Sequence, residues 1–392
     1  MNRVATSTEA DLPGASSIGF YLTAAIVVFA AFVPLILMTA PVVAAQLGGQ
    51  LHLKPERIGL FFTVELGAMS LATLPSYLWL PFVSQRLVAF LAIIVFVVSN
   101  ILAAFIPSYD LLLLLQLTTG LAGGTLMILC LTSAGRAANQ DRVFGLWVIG
   151  QLILGALGLW VLPGLFTHFG LSALFVSLAI LLIIATPLAW AFPSYAIRPE
   201  KKLMQAHPVS IAKPVLGLLA VLAFYLSLGG VWTFMSALGV KSGIEAGITG
   251  HILSIASLFG IAGAAFASVI GGRGKRIHFL IIGYAILVAA IALMFNLPAL
   301  ARFAIAACAF KFAWTFVLPY ILAVIGAIDP SGRAIATVNL IIGGGLALGP
   351  IAAGWLLQQS GSFHLPLITE IAAAIISFLL LLPAALHLLR EA

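Results

Sequence analysis

The sequence predicts an all-α integral membrane protein, with twelve transmembrane helices in two pseudo-symmetric six-helix bundles. Three observations carry that expectation. Hydrophobic residues make up 63% of the 392 positions and charged residues only 7%, which excludes a soluble globular domain and a disordered chain alike. The apolar residues fall into twelve runs, at 18–47, 58–83, 87–106, 111–134, 143–166, 171–192, 214–240, 244–270, 277–295, 297–328, 335–357 and 365–389, each long enough to cross a bilayer as a helix. Several features also recur at an offset close to half the chain. No run shows the ~10-residue alternation of an outer-membrane barrel strand.

Taken in order, the runs explain themselves. The first follows a polar segment with Arg3, Glu9 and Asp11 and far exceeds a signal-peptide core, so it reads as an uncleaved helix. Pro34 and Pro41 interrupt it, as Pro75, Pro319 and Pro350 interrupt the second, tenth and eleventh; each removes a backbone donor, bending a helix or making a gate. The fourth run has Gly120 and Gly124 one turn apart, the eighth has Gly260, Ala264 and Ser268, and the eleventh has Gly345 and Gly349. Small residues at that spacing let helix backbones approach closely. Cys130 and Cys308 lie inside runs with no Cys or His beside them, so neither a disulfide framework nor a metal site is expected. Both read as small packing residues, with cavity lining a weaker reading for Cys130.

The break at 194–213, with Arg198, Lys201, Lys202 and Lys213, divides the chain. The expected organisation is a terminal segment 1–17, a first six-helix half 18–193, a central loop 194–213 and a second half 214–392. Gly155 and Gly349 lie 194 residues apart, Arg86 and Arg276 190, and Gly135-Arg136-Ala137 and Gly332-Arg333-Ala334 197, which reads as a parallel six-plus-six duplication. If the N-terminus is cytoplasmic, that side receives thirteen Lys and Arg and the other only Lys54, Arg57, Lys241 and Arg302. That asymmetry places both termini in the cytoplasm. The net charge of +7 is thus topology, and no nucleic-acid site is expected.

With twelve runs, a basic central loop and duplicated halves, the chain resembles the major facilitator superfamily. Gly271-Gly272-Arg273-Gly274-Lys275-Arg276 looks like that family's loop motif, with Gly271 where its Asp usually stands, and Val83-Ser84-Gln85-Arg86 is a poorer copy keeping one basic residue. A Gly-Pro pair stands in the eleventh run, at Gly349-Pro350, and not in the fifth, unlike the drug/proton antiporter branch. The resemblance implies a carrier whose first, fourth, seventh and tenth spans line a central cavity, open alternately to each side.

Lys311 dominates the candidate residues. An ammonium at the centre of a spanning helix costs roughly 2.5–3.5 kcal/mol on insertion scales, so it calls for a cavity, a counter-charge or a ligand. Phe310, Phe312, Trp314, Thr315, Phe316 and Tyr320 surround it in sequence, a plausible seat for an anion. On the implied cavity-lining spans, Thr39, Gln116, Thr119, Thr125, Tyr225, Ser227, Trp232, Thr233, Trp314, Thr315 and Tyr320 supply polar and aromatic groups, about half of them expected to face neighbouring helices. Glu65, the second intramembrane charge, is the candidate for proton coupling; His251, at comparable depth in the eighth run, could serve the same role. Glu370 opens the twelfth run and reads as interfacial. Arg86, Arg136, Asp141, Arg142, Arg276, Asp329 and Arg333 occupy matching loops where ion pairs could close the inner side.

The function expected is secondary active transport, by alternating access, of a small organic solute that is anionic and coupled to protons. A proton-driven efflux antiporter of lipophilic drugs and a membrane sensor are the alternatives. The partners expected are the solute, the bilayer and protons, with a monomeric chain in a bacterial inner membrane. No cofactor or metal is expected. Scattered Glu65, His251, Lys311 and Glu370 make no catalytic cluster, and no Gly-x-x-x-x-Gly-Lys loop for ATP occurs.

Overall fold

The computed structural model describes residues 13–105, 108–137, 139–196, 212–270, 276–328 and 333–390. The described residues form twelve spans. The first is broken into Pro13–Phe32, Leu35–Met38 and Ala40–Leu51, and the second into Pro55–Leu71 and Thr73–Trp79. Gln85–Phe105, Tyr109–Ala134 and Gln140–Phe169 are the third to fifth, and the sixth is Ser172–Ala185 followed by a 3-10 turn, Thr186–Ala191. The seventh to twelfth are Ala212–Lys241, Ala246–Ile270, Arg276–Ala292, Leu300–Ile328, Arg333–Ser360 and His364–Arg390. The face where the first span starts and the twelfth ends is here the terminal face, and the other the opposite face.

Chain breaks within spans sit at prolines. Pro34 ends the first piece of the first span, and Pro41 lies at the start of its third. Pro163, Pro319, Pro350 and Pro383 are carried inside continuous helices, each leaving the carbonyl four residues earlier without its usual donor.

Glycines set the helix pairs, and here the half-chain repeat acquires a physical meaning. A Cβ on Gly155 would lie 2.7 Å from Met38 Cβ, and one on Gly158 2.5 Å from Thr39 Cγ2, so the fifth span rests on the first. A Cβ on Gly345 would lie 2.7 Å from Tyr225 Cβ and one on Gly349 2.7 Å from Gly230 N, so the eleventh rests on the seventh. Gly155 and Gly349, recognised in sequence by their offset, therefore make the same contact in the two bundles. Likewise Gly120 and Gly124 bring the fourth span onto Glu65, Ala68 and Met69 of the second, and Gly263 brings the eighth onto Phe312 and Thr315 of the tenth.

Two seams and one crossing join the bundles. In one seam, Gly59 faces Pro350, Gly354 faces Pro55, Thr63 Oγ1 donates to Ala347 O, and Ser70 Oγ donates to Leu340 O at 3.0 Å. The other pairs the fifth and eighth spans: Ser254 Oγ donates to Ala156 O at 2.8 Å, and a Cβ on Gly250 would lie 2.8 Å from Leu159 O. Leu159 O is the carbonyl that Pro163 leaves without a donor, so the missing hydrogen removes an obstacle to close approach.

Candidate functional site

The site is built on the break in the first span. Because Pro41 has no N–H, Leu37 O cannot receive the bond that a continuous helix would supply. Thr39, at φ −102°, turns its Oγ1 back onto Leu35 O at 2.8 Å, leaving Leu37 O to a partner from elsewhere. That partner is the indole of Trp232 in the seventh span, whose Nε1 donates to Leu37 O at 2.9 Å across the bundle interface. Trp232 is fully buried, so the bond is made away from water. Losing it strands a buried carbonyl, at a cost of about 1–3 kcal/mol.

The faces of the same indole hold the buried cation. Lys311 Nζ lies 4.1 Å from the Trp232 ring centroid and 4.3 Å from that of Trp314, while the two indoles meet edge to face at 6.3 Å. Tyr225 and Phe310 buttress Trp314 at 6.4 and 6.1 Å. Each desolvated ring contact is worth ~2 kcal/mol, so the aromatic cradle offsets much of the cost of burying the charge. Among the described residues no carboxylate lies within ion-pair distance of Lys311, and its side chain borders a cavity of about 360 Å³.

That cavity lies between the bundles, on the terminal-face side of the Trp232 bond. Tyr225, Lys311, Trp314 and Thr315 line it from the second bundle, and Leu37, Met127, Trp147 and Gln151 from the first, with Ser70, Thr73 and Asn339 nearer the terminal face. Its wall is mainly apolar, punctuated by one ammonium, two side-chain amides and four hydroxyls. An apolar cleft with a few convergent polar groups is the usual form of a small-molecule site. Toward the opposite face, the Trp232 bond, Gly250 on Leu159, and Gly59 on Pro350 seal the path between the bundles. Changing Trp232 to Phe would keep a ring face for Lys311 while deleting the N–H. We expect the sealed-to-unsealed ratio to fall by about 5- to 150-fold, matching ~1–3 kcal/mol for the stranded carbonyl; spin labels spanning the opposite face would report it, and an unchanged distance distribution would refute it.

The sequence-derived candidates separate accordingly. Lys311, Trp314, Thr315 and Tyr225 line the cavity; Thr315 Oγ1 also donates to Gly260 O at 2.6 Å. Trp232 acts from beneath the cation. Tyr320 instead stacks on Phe279 at 5.1 Å and points its hydroxyl at Ala267 O, inside the second bundle. Thr125, on the opposite side of the fourth span, bonds its own helix at Leu121 O and borders a groove with Trp79 and Val95 of the second and third spans. Gln116, Thr119, Ser227, Thr233 and Thr39 are buried away from the cavity, and Gln116 and Thr119 leave three polar atoms without partners among the described residues.

Glu65 is 1% exposed and its Oε2 has no partner among the described residues. It packs between the second and fourth spans, with its backbone carbonyl against Gly120. His251 stacks on Trp160 at 4.0 Å along the fifth–eighth seam, on a different wall of the molecule. Glu370, read from sequence as interfacial, is buried: it is 1% exposed, against Gly230. Arg86 binds within the first bundle, its Nε donating to Phe192 O at 3.1 Å and its guanidinium 5.3 Å from the Trp190 ring. Arg136 and Arg142 are exposed, and the Arg142 N–H is capped by Asn139 Oδ1. The side chains of Asp141, Arg276 and Arg333, and the whole of Asp329, lie outside the described residues.

Sequence reasoning missed Gln151, Asn339, Ser70 and Thr73. The signal was present, since an amide inside an apolar run needs a polar neighbour or an aqueous space. These four lie outside the first, fourth, seventh and tenth spans, because the second, fifth and eleventh also reach the cavity toward the terminal face.

Comparison with known proteins adds independent findings. A sequence profile described as Major Facilitator Superfamily matches residues 19–331. A protein of Mannheimia succiniciproducens named "Probable sugar efflux transporter" is 25% identical over 352 residues, covering 84% of this chain and 86% of that one. The crystal structure of the nucleoside transporter NupG superposes with a TM-score of 0.69 at 13% identity, covering 94% of this chain and 98% of the other. A bacterial homolog of the human lysosomal transporter Spinster, solved inward-facing and unoccupied, superposes with a TM-score of 0.67 at 14% identity, covering 98% and 99%.

Proposed function

The chain belongs to the Major Facilitator Superfamily and is a multi-pass membrane transporter, and from that premise we propose that it carries a small polyhydroxylated solute of the sugar class, by alternating access past Lys311. The observation that carries the reading is the composition of the cavity wall. Trp314, Trp147 and Tyr225 offer ring surfaces for the apolar faces of a sugar, while Lys311, Gln151, Asn339 and Thr315 offer donors and acceptors for its hydroxyls. A volume of about 360 Å³ is near the lower end for ligand pockets, suited to one or two sugar rings. The sugar efflux name of the Mannheimia relative supports the same class.

Lys311 adds a preference. Its three N–H donors call for acceptors, and a carboxylate or phosphate on the solute would complete the charge that the indoles only partly offset. An acidic sugar is therefore bound more tightly than its neutral parent. The Lys and Arg asymmetry orients the terminal face to the cytoplasm, the chain works as a monomer, and Glu65, buried without a partner for Oε2, exchanges the coupling proton. Counterflow in proteoliposomes tests the reading, using labelled neutral sugars, sugar acids and a lipophilic cation. We expect saturable exchange of the sugars, fastest for the acids. Exchange of the lipophilic cation alone would establish the drug-efflux alternative in its place.

A further inference from the structure

The second buried carboxyl has no part in the cavity. Glu370 lies six residues into the twelfth span, and among the described residues neither of its carboxyl oxygens has a hydrogen-bond partner. It occupies the room left by the absent side chain of Gly230 in the seventh span: a Cβ there would overlap Glu370 Oε1 and lie 2.7 Å from Cδ, and 3.1 Å from Ala353 Cβ. Beside it is a void of about 20 Å³, walled by Val231, Phe234, Met235, Met294, Leu357 and Leu367, large enough for a single water. An ionised carboxylate in this contact has no donor to accept from, whereas the neutral acid meets neither an uncompensated charge nor a clash.

Among the described residues no other titratable side chain borders that void. On the elements packed against the twelfth span, Tyr225 and Lys311 face the solute cavity, Lys241 Nζ donates to Gly361 O at 3.1 Å, and Tyr284 shares a 2.6 Å hydrogen bond with Ser377. Arg302 is bonded to Asn296 O, Cys308 is half-buried and Tyr320 is directed to Ala267 O. His278, on the ninth span, is exposed near the terminal face. His364, on the twelfth span itself, lies edge-on to Phe295 at 5.5 Å.

We propose that Glu370 is a proton-binding site, separate from the solute cavity, whose occupancy is linked to the seating of the seventh span and through it to the seal on the opposite face. Gly230 rests on the Glu370 carboxyl, and two residues along the same helix Trp232 holds Leu37 O and covers Lys311. A proton on either Glu370 oxygen permits the close contact. Once the seventh span lifts from the twelfth, water reaches the carboxyl and takes the proton. The sealed arrangement therefore binds more protons than the unsealed one, so its share falls as pH rises.

This linkage does not depend on which solute is carried, and it can be read without one. Spin labels at Ser108→Cys and Leu300→Cys, exposed residues at the opposite-face ends of the fourth and tenth spans, would be attached to protein with Cys130 and Cys308 changed to Ala. In otherwise native protein, the long-distance population should grow from mildly acidic to mildly alkaline pH. Glu370→Gln, which keeps the shape of the neutral acid, should lose that growth and stay sealed throughout. Glu370→Ala should also lose it, whereas Glu65→Gln should retain a Glu370-dependent response. If Glu370→Ala does not fold, Glu370→Gln decides alone. A pH response in Glu370→Gln equal to that of the parent, or no response in the parent, overturns the proposal.

Discussion

Replacing Lys311 with Gln should reduce exchange of an acidic sugar by at least about tenfold and leave the protein as stable as before, or slightly more so. The two effects have opposite origins. A hydrogen bond to a charged group is worth ~1.5–3 kcal/mol, which corresponds to roughly 10- to 150-fold in affinity. In the unliganded protein, however, the ammonium is a desolvated charge held by the Trp232 and Trp314 ring faces at 4.1 and 4.3 Å, and removing a buried charge that lacks a counter-ion relieves a penalty. Arg should not substitute, because its wide planar fork would have to fit between two indoles spaced for a compact ammonium. Parallel counterflow and thermal-unfolding measurements check both halves. Undiminished exchange in Lys311→Gln would remove the cation from solute recognition.

The second large effect separates two kinds of glycine. Gly349 joins the eleventh span to the seventh inside one bundle, with Leu226 O, Gly229 C and Gly230 N all within reach of an added Cβ. Gly59 joins the second span to the eleventh across the bundle seam, facing Pro350 O and Ile351 Cα. A larger side chain at either position meets backbone, which no rotamer change relieves, and overpacking of this kind costs ~1–3 kcal/mol or more. At Gly349 the only escape is to separate the seventh and eleventh spans inside one bundle, a contact that movement of the seventh span off the twelfth leaves in place, so Gly349→Leu should sharply reduce the yield of folded, monodisperse protein. At Gly59 the bundles can part along the seam, so Gly59→Leu should fold but favour the arrangement unsealed on the opposite face. Size-exclusion profiles with opposite-face cysteine labelling distinguish the cases; equal loss of folded protein in both would contradict this distinction between the two glycines.

Those glycines also show what a sequence reveals. Gly155 and Gly349 were visible as partners because duplication leaves an offset, and an offset needs no structure to be read. Lys311 was visible because a charge in a long apolar run has few explanations. Partnership across helices left no such trace. Nothing local to Trp232 says that its N–H will meet a carbonyl freed by Pro41, almost two hundred residues earlier in the chain. Tyr320 and Thr125 share residue types with true cavity groups but point elsewhere, because the facing of each residue depends on helix rotation, and mixed polar and aromatic spans do not fix it. Glu370 was misplaced for a related reason: a position near a helix end resembles an interface until Gly230 is seen to have vacated room for a carboxyl.

If Lys311 meets the solute in the chamber between the two bundles, Lys311→Cys, in protein lacking Cys130 and Cys308, should react with a membrane-impermeant maleimide from the terminal face in this conformation, and the transported sugar should slow that reaction. A thiol that stays unlabelled from both faces, or one whose labelling no transported solute slows, would contradict it.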